Sequence, residues 1–232
     1  MGTTVTPEGV GGQLYYGIDG SGSASSGPCA LEFYIGELGV GTTIGGGPCN
    51  GACFNTDAAN AVGSGNTFGY WFVYGPTKDP SYNGTTTEAN HWGHEQGRQA
   101  VQAWYDNPHV ARYTIFADIE GAPNEYGWST DQSLNVAVWE GFYEEVNGAN
   151  NGLMKAGVYS APDAWATLTG SHQLNGSVPE WSSESDIGCS AACPTPTTFD
   201  AQGFGGEFPV IWQYAINCGS YGDLDAASSL PS

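Results

Sequence analysis

Hydrophobic positions along the chain fall into short apolar runs separated by longer segments with helical spacing. Runs of four to seven apolar residues that stop at Gly or Pro predict buried strands. We therefore expect strands at 14–19, 31–35, 68–74, 113–120, 156–159 and 210–214. The stretch around 178–181 and the remainder of the last third carry strand and loop signals but few helical ones.

Helix signals lie between these strands. Thr85 with Glu88 and Ser129 with Gln132 have the spacing of capping boxes, in which two side chains satisfy the free N–H groups of a first turn. Apolar spacing and stop signals then predict three helices, from Thr85 to about Asp106, from Ser129 to the Asn-Asn-Gly sequence at 150–152, and from Pro162 to Thr169 before Gly170.

Strands that alternate with helices predict a mainly parallel sheet, open or closed. About eight strands with a helix-poor end favour an irregular TIM-like α/β barrel, where chemistry sits at the carboxyl ends of the strands. We predict one domain over 1–232, with a flexible N-terminal segment at 1–12 and a Gly-rich, disulfide-clipped loop insertion at 36–65.

Asp118 and Glu120 end the apolar run 113–117 and are followed by Gly121. Alternate strand residues share a face, so the two carboxylates point the same way, roughly 7 Å apart at the backbone. Burying two carboxylates is costly, and pairs with divergent pKa values run acid–base chemistry. The alternative is a strand end whose acids face solvent. The apolar run before Asp118 and the glycine directly after Glu120 favour a catalytic site.

The net charge of the chain limits the kinds of partner that it can bind. The chain has 24 acidic and four basic residues, for a net charge of −20. This excludes a phosphate-tracking surface, so we expect no nucleic-acid partner, and it disfavours anionic membranes. No apolar stretch approaches the ~20 residues that span a bilayer, so we expect no membrane insertion. His91 and His94 do not form a zinc-protease motif, and no phosphate-binding loop is present, so we expect no metal or cofactor.

Six cysteines in a Ser-, Thr- and Gly-rich chain are typical of a secreted disulfide protein. Two pairs have three intervening residues, a spacing that leaves a four-thiolate zinc site as the alternative. Six cysteines allow 15 connectivities. Among these we expect local bridges within the two pairs and a long-range bridge, namely Cys49–Cys53, Cys189–Cys193 and Cys29–Cys218.

Four segments resemble the glycoside hydrolase family 25 lysozymes: YGID at 16–19, FADIEG at 116–121, GVYS at 157–160, and the closing region from 204 to 225 with its WQY and DLD sequences. The resemblance is good from about 113 to 230. It implies a barrel of about five strand–helix units followed by three strands. It also implies cleavage of the β-1,4 link between N-acetylmuramic acid and N-acetylglucosamine in peptidoglycan.

The resemblance also implies roles for individual residues. Glu120 would be the general acid, and Asp118 its ionised partner that orients a water or the substrate's acetamido group. Asp19 and Asp223 would complete a ring of acids, although each taken alone is typical of a turn cap. The implied substrate-binding residues are Tyr74, Tyr159, Trp212 and Tyr214.

Three departures from the family pattern bear on function. The Gly-rich 36–65 segment has no recognised counterpart in the family, the 180–184 segment stands where many relatives have an aromatic-rich strand, and Asp225 replaces the usual Asn. The net charge of −20 also opposes an anionic polymer. We predict a secreted glycoside hydrolase acting on peptidoglycan or a related cell-wall amino-sugar glycan. The alternative is a catalytically silent carbohydrate-binding or surface structural protein that retains the barrel. A chitinase-like enzyme is disfavoured because a DxxDxDxE run is absent.

Overall fold

Nine strands form one sheet in a computed structural model that describes residues 13–20, 30–41, 47–48, 53–63, 65–174, 178–184, 189, 195–218 and 222–232. The strands are β1 Tyr15–Gly20, β2 Phe33–Val40, β3 Gly47–Pro48, β4 Thr67–Phe72, β5 Thr114–Asp118, β6 Lys155–Ser160, β7 Glu180–Ser183, β8 Ile211–Ala215 and β9 Asp223–Ala227.

The sheet closes on itself. Its order is β1-β9-β8-β7-β6-β5-β4-β2, and β1 pairs in turn with β2, which completes a barrel of eight strands. Neighbouring strands are parallel except β9, which runs antiparallel to both β8 and β1. The two-residue strand β3 pairs with β2 outside the ring. The prediction of an irregular TIM-like barrel in a single domain is confirmed.

Four α-helices lie between the strands within the described ranges: α1 Thr56–Val62, α2 Thr86–Asp106, α3 Gln132–Gly148 and α4 Pro162–Thr169. Short 3-10 helices cover Pro76–Lys78 and Ala149–Gly152. No helix in this part of the chain has the length and apolar character needed to cross a membrane.

Local capping explains where these helices start. Thr85 caps α2 as predicted, because its hydroxyl accepts the backbone N–H of Glu88 at 3.3 Å. The predicted cap of α3 is wrong by two residues: Asp131, not Ser129, accepts the backbone N–H of Ser133 at 3.0 Å. Helix α4 has its predicted bounds, and it ends at Gly170 with a left-handed φ of 69°.

Two glycines bring α2 and α3 together. A Cβ atom at Gly93 would lie 2.0 Å from the backbone oxygen of Val138, and one at Gly141 would lie 2.0 Å from that of Asn90. Any side chain at either position would force the helices apart. The two helices that cover β4 and β5 are therefore fixed to each other at backbone contact distance.

Within the predicted loop at 36–65, most of the residues that the structure describes lie in regular elements. Strand β2 continues to Val40, beyond the predicted end at 35, and α1 lies inside the segment with Asn55 as its N-cap. Phe54 anchors this part of the chain, since its ring packs at 5.2 Å on that of Tyr34. The loop prediction is therefore wrong for these residues. Cys49 and the predicted flexible segment at 1–12 lie outside the described residues.

The disulfide prediction also needs correction. Cys189 is bonded to Cys218, with their Cα atoms 5.2 Å apart, so neither the local Cys189–Cys193 bridge nor Cys29–Cys218 forms. Cys53 is also in a disulfide, and its partner lies outside the described residues. Disulfide-bonded sulfurs are not thiolate ligands, which rules out the four-thiolate zinc alternative.

The barrel strands separate two cores. Residues that point outward pack against the helices, whereas those that point inward fill the barrel with large side chains. The inward-facing set is Phe33, Ile35, Phe68, Tyr70, Phe116, Tyr159, Trp181, Ile211 and Ala227. Above these residues, at the carboxyl ends of the parallel strands, the inward positions become polar.

Candidate active site

Six carboxyl groups lie at the end of the barrel where the parallel strands have their carboxyl ends; β9 is antiparallel and reaches this end with its amino-terminal residues. They continue the inward-facing alternation of the aromatic interior: Glu37 follows Phe33 and Ile35 on β2, and Asp118 follows Phe116 on β5. We call this set the acidic cluster; its members are Asp19, Glu37, Asp118, Glu120, Asp223 and Asp225. The structure thus brings together all four acids that the sequence analysis selected and adds two more.

Gln213 of β8 is the hub of the cluster. Its amide nitrogen donates to both carboxylate oxygens of Asp19, at 3.0 and 3.1 Å, and lies 3.4 Å from Oδ2 of Asp223. Its amide oxygen accepts from the hydroxyls of Tyr159 and Ser183, each at 2.8 Å. These two hydroxyls fix the amide orientation, so its N–H group must face Asp19.

Asp223 is held by the turn that precedes β9. Its Oδ1 accepts the backbone N–H of Asn217 at 2.6 Å, and Asn217 has a left-handed φ of 57°. The turn is closed by the N–H of Cys218, which donates to the backbone oxygen of Gly222 at 2.7 Å. Asp223 pairs in register with Asp19 of β1, so both carboxyl groups face the same interior.

Asp118 is buried at the end of β5. Its Oδ1 atom is fully enclosed and receives no hydrogen bond from the residues that the structure describes. Burial raises the pKa of Asp118 well above its ordinary value, and the charges of Glu120, Asp19 and Glu37 raise it further. These surroundings therefore favour the protonated form of Asp118.

Glu120 follows directly on the strand and is half-buried. Burial raises the pKa of Glu120, with a further contribution from the charge of Asp223. The main chain here is clamped: Trp128 donates its indole N–H to the Glu120 backbone oxygen at 2.9 Å, and the Ser160 hydroxyl donates to that of Ile119 at 2.7 Å. Glu120 thus projects from a rigid support.

An aromatic wall of Phe72, Tyr74 and Tyr126 stands beside the acids. The ring of Tyr126 packs edge-on against Phe72 at 5.0 Å and against Tyr74 at 6.0 Å. Phe72 pairs in register with Asp118, which places the wall next to that carboxyl group. Tyr126 is 42% exposed and has a left-handed φ of 47°, a backbone strain that marks functional loops. The sequence analysis predicted Tyr74 but missed Tyr126.

The loops that carry this wall are tied together. The N–H of Gly75 donates to the backbone oxygen of Tyr126 at 3.0 Å, and a Cβ atom at Gly75 would lie 2.3 Å from the backbone oxygen of Gly127. From helix α2, Gln96 accepts the Tyr74 N–H at 2.8 Å and donates to the Tyr74 oxygen at 3.0 Å. The wall is therefore preorganised.

Three predicted substrate-binding residues have other roles. Tyr159 lies inside the barrel, where its hydroxyl orients Gln213, so its ring offers no stacking surface. Trp212 and Tyr214 are only 3% and 2% exposed, and the Trp212 indole donates to the Glu184 backbone oxygen. Both face outward because Gln213, between them, faces the acids. The structure therefore buries both rings away from the acids, and a role for Trp212 and Tyr214 in sugar binding stays a prediction.

Glu37 and Asp225 are site residues that the sequence analysis did not select. The Tyr70 hydroxyl donates to Glu37 at 3.4 Å, and Glu37 contributes to the raised pKa of Asp118. Asp225 is fully buried and accepts the Trp181 indole N–H at 2.9 Å. If the predicted strand had been extended beyond residue 35, its alternation would have placed Glu37 on the same inward face as Phe33 and Ile35.

Chemically, the cluster is suited to holding and moving protons. Burial and the charge of Asp223 raise the pKa of Asp19 from 3.8 to about 7, and Glu120 shifts in the same direction. A carboxyl group with a raised pKa keeps its proton to higher pH and can then act as a general acid. Within the described ranges, no group of three or more His, Cys, Asp or Glu side chains is arranged to hold a metal ion.

Comparison with known proteins places the fold. No protein-family model and no curated protein matches the chain. Among solved structures, the Trichobolus zukalii muramidase aligns over 93% of this chain and 94% of its own, with a TM-score of 0.58 and 17% identity. The Aspergillus fumigatus family GH25 lysozyme aligns over 94% and 95%, with a TM-score of 0.59 and 20% identity. The Clostridium perfringens spore cortex lytic enzyme SleM aligns over 92% and 67%, with a TM-score of 0.60 and 13% identity. The chain therefore has the irregular barrel fold of the family 25 lysozymes.

Proposed function

We propose that this protein is a secreted glycoside hydrolase that cleaves β-1,4 bonds in peptidoglycan or a related cell-wall amino-sugar glycan. The observation that carries the proposal is the pair of Glu120 and Asp118, both with raised pKa values, at the carboxyl ends of the barrel. The fold matches structures described as muramidases, a lysozyme and a cortex lytic enzyme. The Cys189–Cys218 disulfide supports an extracellular location.

In this proposal, Glu120 donates a proton to the glycosidic oxygen as the bond breaks. The donor must still hold its proton at the working pH and must reach the oxygen from a fixed position. Burial and the nearby Asp223 charge meet the first requirement by raising the Glu120 pKa. The hydrogen bond from Trp128 to the Glu120 backbone meets the second.

Asp118 has the complementary role. Its Oδ1 lacks a donor among the described residues, and an amino sugar carries an acetamido N–H that could supply one. A hydrogen bond to the charged form lowers a carboxyl pKa, so the substrate itself would favour ionised Asp118. The resulting anion would orient the acetamido group and stabilise positive charge at the sugar carbon. This explains a preference for amino sugars over plain glucans.

The aromatic wall provides the sugar-binding surface. Pyranose rings present apolar C–H faces that pack on aromatic side chains, and Tyr hydroxyls add polar contacts. Tyr126 is the most exposed member, while Tyr74 is half-buried behind it. This surface differs from the one that the sequence analysis predicted on β8.

Product analysis tests the function. Wild type, Glu120→Gln and the control Glu140→Gln, an exposed acid on α3, are incubated with purified peptidoglycan and with chitin oligomers. We expect new reducing ends from wild type and the control, and a fall of about 10²- to 10⁴-fold for Glu120→Gln. Retained activity in Glu120→Gln removes that residue from the acid role. Folded wild type that retains glycan in a pull-down without forming products is a carbohydrate-binding protein instead.

A further inference from the structure

Asp225 has an environment that a carboxylate anion cannot satisfy. Its side chain is fully buried, and Oδ1 accepts the Trp181 indole N–H at 2.9 Å. Oδ2 is enclosed and receives no N–H or O–H donor from the described residues. What Asp225 does meet is another acid: its carboxyl group is within hydrogen-bonding contact of Asp19.

The topology makes this contact unavoidable. Asp19 lies on β1 and Asp225 on the adjacent β9, where Gly17 pairs with Asp225 and Asp19 pairs with Asp223. All three acids point into the barrel, and this register makes Asp19 and Asp225 diagonal neighbours on adjacent strands. Gly17 contributes space, because it has no Cβ atom on this face.

Two carboxylates can share a hydrogen bond only if one carries a proton, because an ionised carboxylate only accepts. Gln213 already donates to both oxygens of Asp19, which favours Asp19 as the acceptor. The proton then belongs on Asp225. The other titratable groups that interact electrostatically with Asp225 are Asp223 on its own strand and Tyr214 on the outer face of β8, and neither supplies positive charge.

We propose that Asp225 is a positioning residue that remains protonated in the folded protein and donates a hydrogen bond to Asp19, so that Asp19 is held between Asp225 and Gln213. Burial, the largest cause, and the Asp19 charge both raise the pKa of Asp225 well above its ordinary value, in agreement with this geometry. The proposal rests on the proposed glycosidase function only for its effect on activity.

The choice of Asp has a chemical consequence. An Asn at 225 would accept from Trp181 through its amide oxygen and donate to Asp19 through its amide nitrogen, with no proton to lose. Asp225 makes the same two bonds but only while protonated. When it ionises, two buried anions face each other and the Asp19 position is lost. The arrangement is therefore sensitive to alkaline pH.

Infrared spectroscopy tests the protonation state directly. At about pH 8, where a carboxyl group of ordinary pKa is fully ionised, the wild type minus Asp225→Asn difference spectrum should contain the carbonyl stretch of a protonated carboxyl group. The same difference taken with Asp163→Asn, an exposed acid on α4, should lack that band. Absence of the band for Asp225 overturns the proposal, whether or not the protein hydrolyses a glycan.

Activity against pH tests the positioning role. We expect Asp225→Asn to move the alkaline limit of kcat to higher pH than in wild type, with KM little affected. Asp225→Leu, which has similar size but no donor, should lower kcat by about tenfold or more at every pH because Asp19 is misplaced. An alkaline limit that Asn leaves in place overturns the role. If the Leu variant does not fold, the infrared result and the Asn profile decide.

Discussion

The two ends of the barrel satisfy their polar groups in opposite ways. At the amino end, Arg112 donates to the backbone oxygens of Gly65 and Pro231 and, at 2.8 Å, to the side chain of Asn66. Its guanidinium also lies 5.9 Å from the centre of the Phe68 ring. One cation thus satisfies three acceptors from two distant segments of the chain and closes this end.

At the carboxyl end, by contrast, acidic side chains face one another, and the buried oxygens Asp118 Oδ1 and Asp225 Oδ2 have no donor among the described residues. Native proteins rarely leave buried polar atoms unpaired, and the exceptions concentrate at functional sites. Hydrogen bonds to Arg112 therefore stabilise one end of the barrel, whereas at the other end buried acceptors without a donor can bind protons or substrate. Substitutions at the two ends should therefore differ in their effects on activity and on stability.

The largest effect is expected from Asp118→Asn at the acidic end. Activity should fall by at least about 10²-fold, since the variant loses the anion that orients the substrate. Its melting temperature should stay level or rise, because a buried like-charge contact is relieved. Glycan hydrolysis and thermal unfolding measure the two effects, with Asp163→Asn as the control. A marked drop in melting temperature would make Asp118 a structural residue.

The next effect concerns pH. Asp19 has a pKa of about 7 in the folded protein against 3.8 ordinarily, so between these values the folded state binds more protons than the unfolded state. Its stabilising contribution is therefore complete below about pH 4 and is lost as the pH rises to about 7, a change on the order of 4 kcal/mol. Asp19→Asn removes this dependence.

Denaturant unfolding of wild type and Asp19→Asn from about pH 4 to about pH 8 measures the difference. We expect the variant to gain stability relative to wild type as the pH rises, and the gain to level off above the folded pKa. Parallel pH curves for the two proteins would contradict the raised Asp19 pKa.

At the closed end, Arg112→Leu should lower the free energy of unfolding by about 2 kcal/mol, because three acceptors lose a charged donor. Activity per folded molecule should be retained, since the acids lie at the other end. The matched control is Arg98→Leu, whose exposed bond to Glu95 should contribute less than about 0.5 kcal/mol. If both variants lower the free energy of unfolding equally, the hydrogen bonds of Arg112 do not stabilise the fold.

The smallest effect is expected from Tyr126→Ala in the aromatic wall. Losing one sugar-stacking ring should raise KM about fivefold, equivalent to about 1 kcal/mol, while kcat changes little. Tyr105→Ala removes a comparably exposed tyrosine from α2 and is the control. Steady-state kinetics on peptidoglycan fragments decide between them. If both variants bind alike, the wall is not the sugar surface.

Elements with local signals were predictable from the sequence. The Thr85 cap, the Gly170 stop and the Gly-bounded run that ends at Asp118 define α2, α4 and β5, because capping and periodicity act over a few residues. The approximate meeting of Asp19, Asp118, Glu120 and Asp223 also followed, since the carboxyl ends of parallel strands lie at one edge.

Features set by tertiary packing were not predictable. Alternation showed that Gln213 lies opposite Trp212 and Tyr214, but both faces of a barrel strand are buried, so hydropathy could not tell which face meets the acids. The Asp19–Asp225 contact depends on the register of two strands more than 200 residues apart in the chain. Glu37 was missed because the strand was ended too early, before the bulge between Glu37 and Gly39.

The disulfide gives the acidic end a dependence on redox conditions. Cys218 directly follows Asn217, whose N–H holds Asp223, and its bond to Cys189 closes a 29-residue separation that includes most of β8. Such a crosslink stabilises by about 3–4 kcal/mol, chiefly by restricting the unfolded chain. Reduction would release the turn that orients Asp223 while the strand ladders remain paired. Thiol reductants should therefore reduce activity before they unfold the barrel.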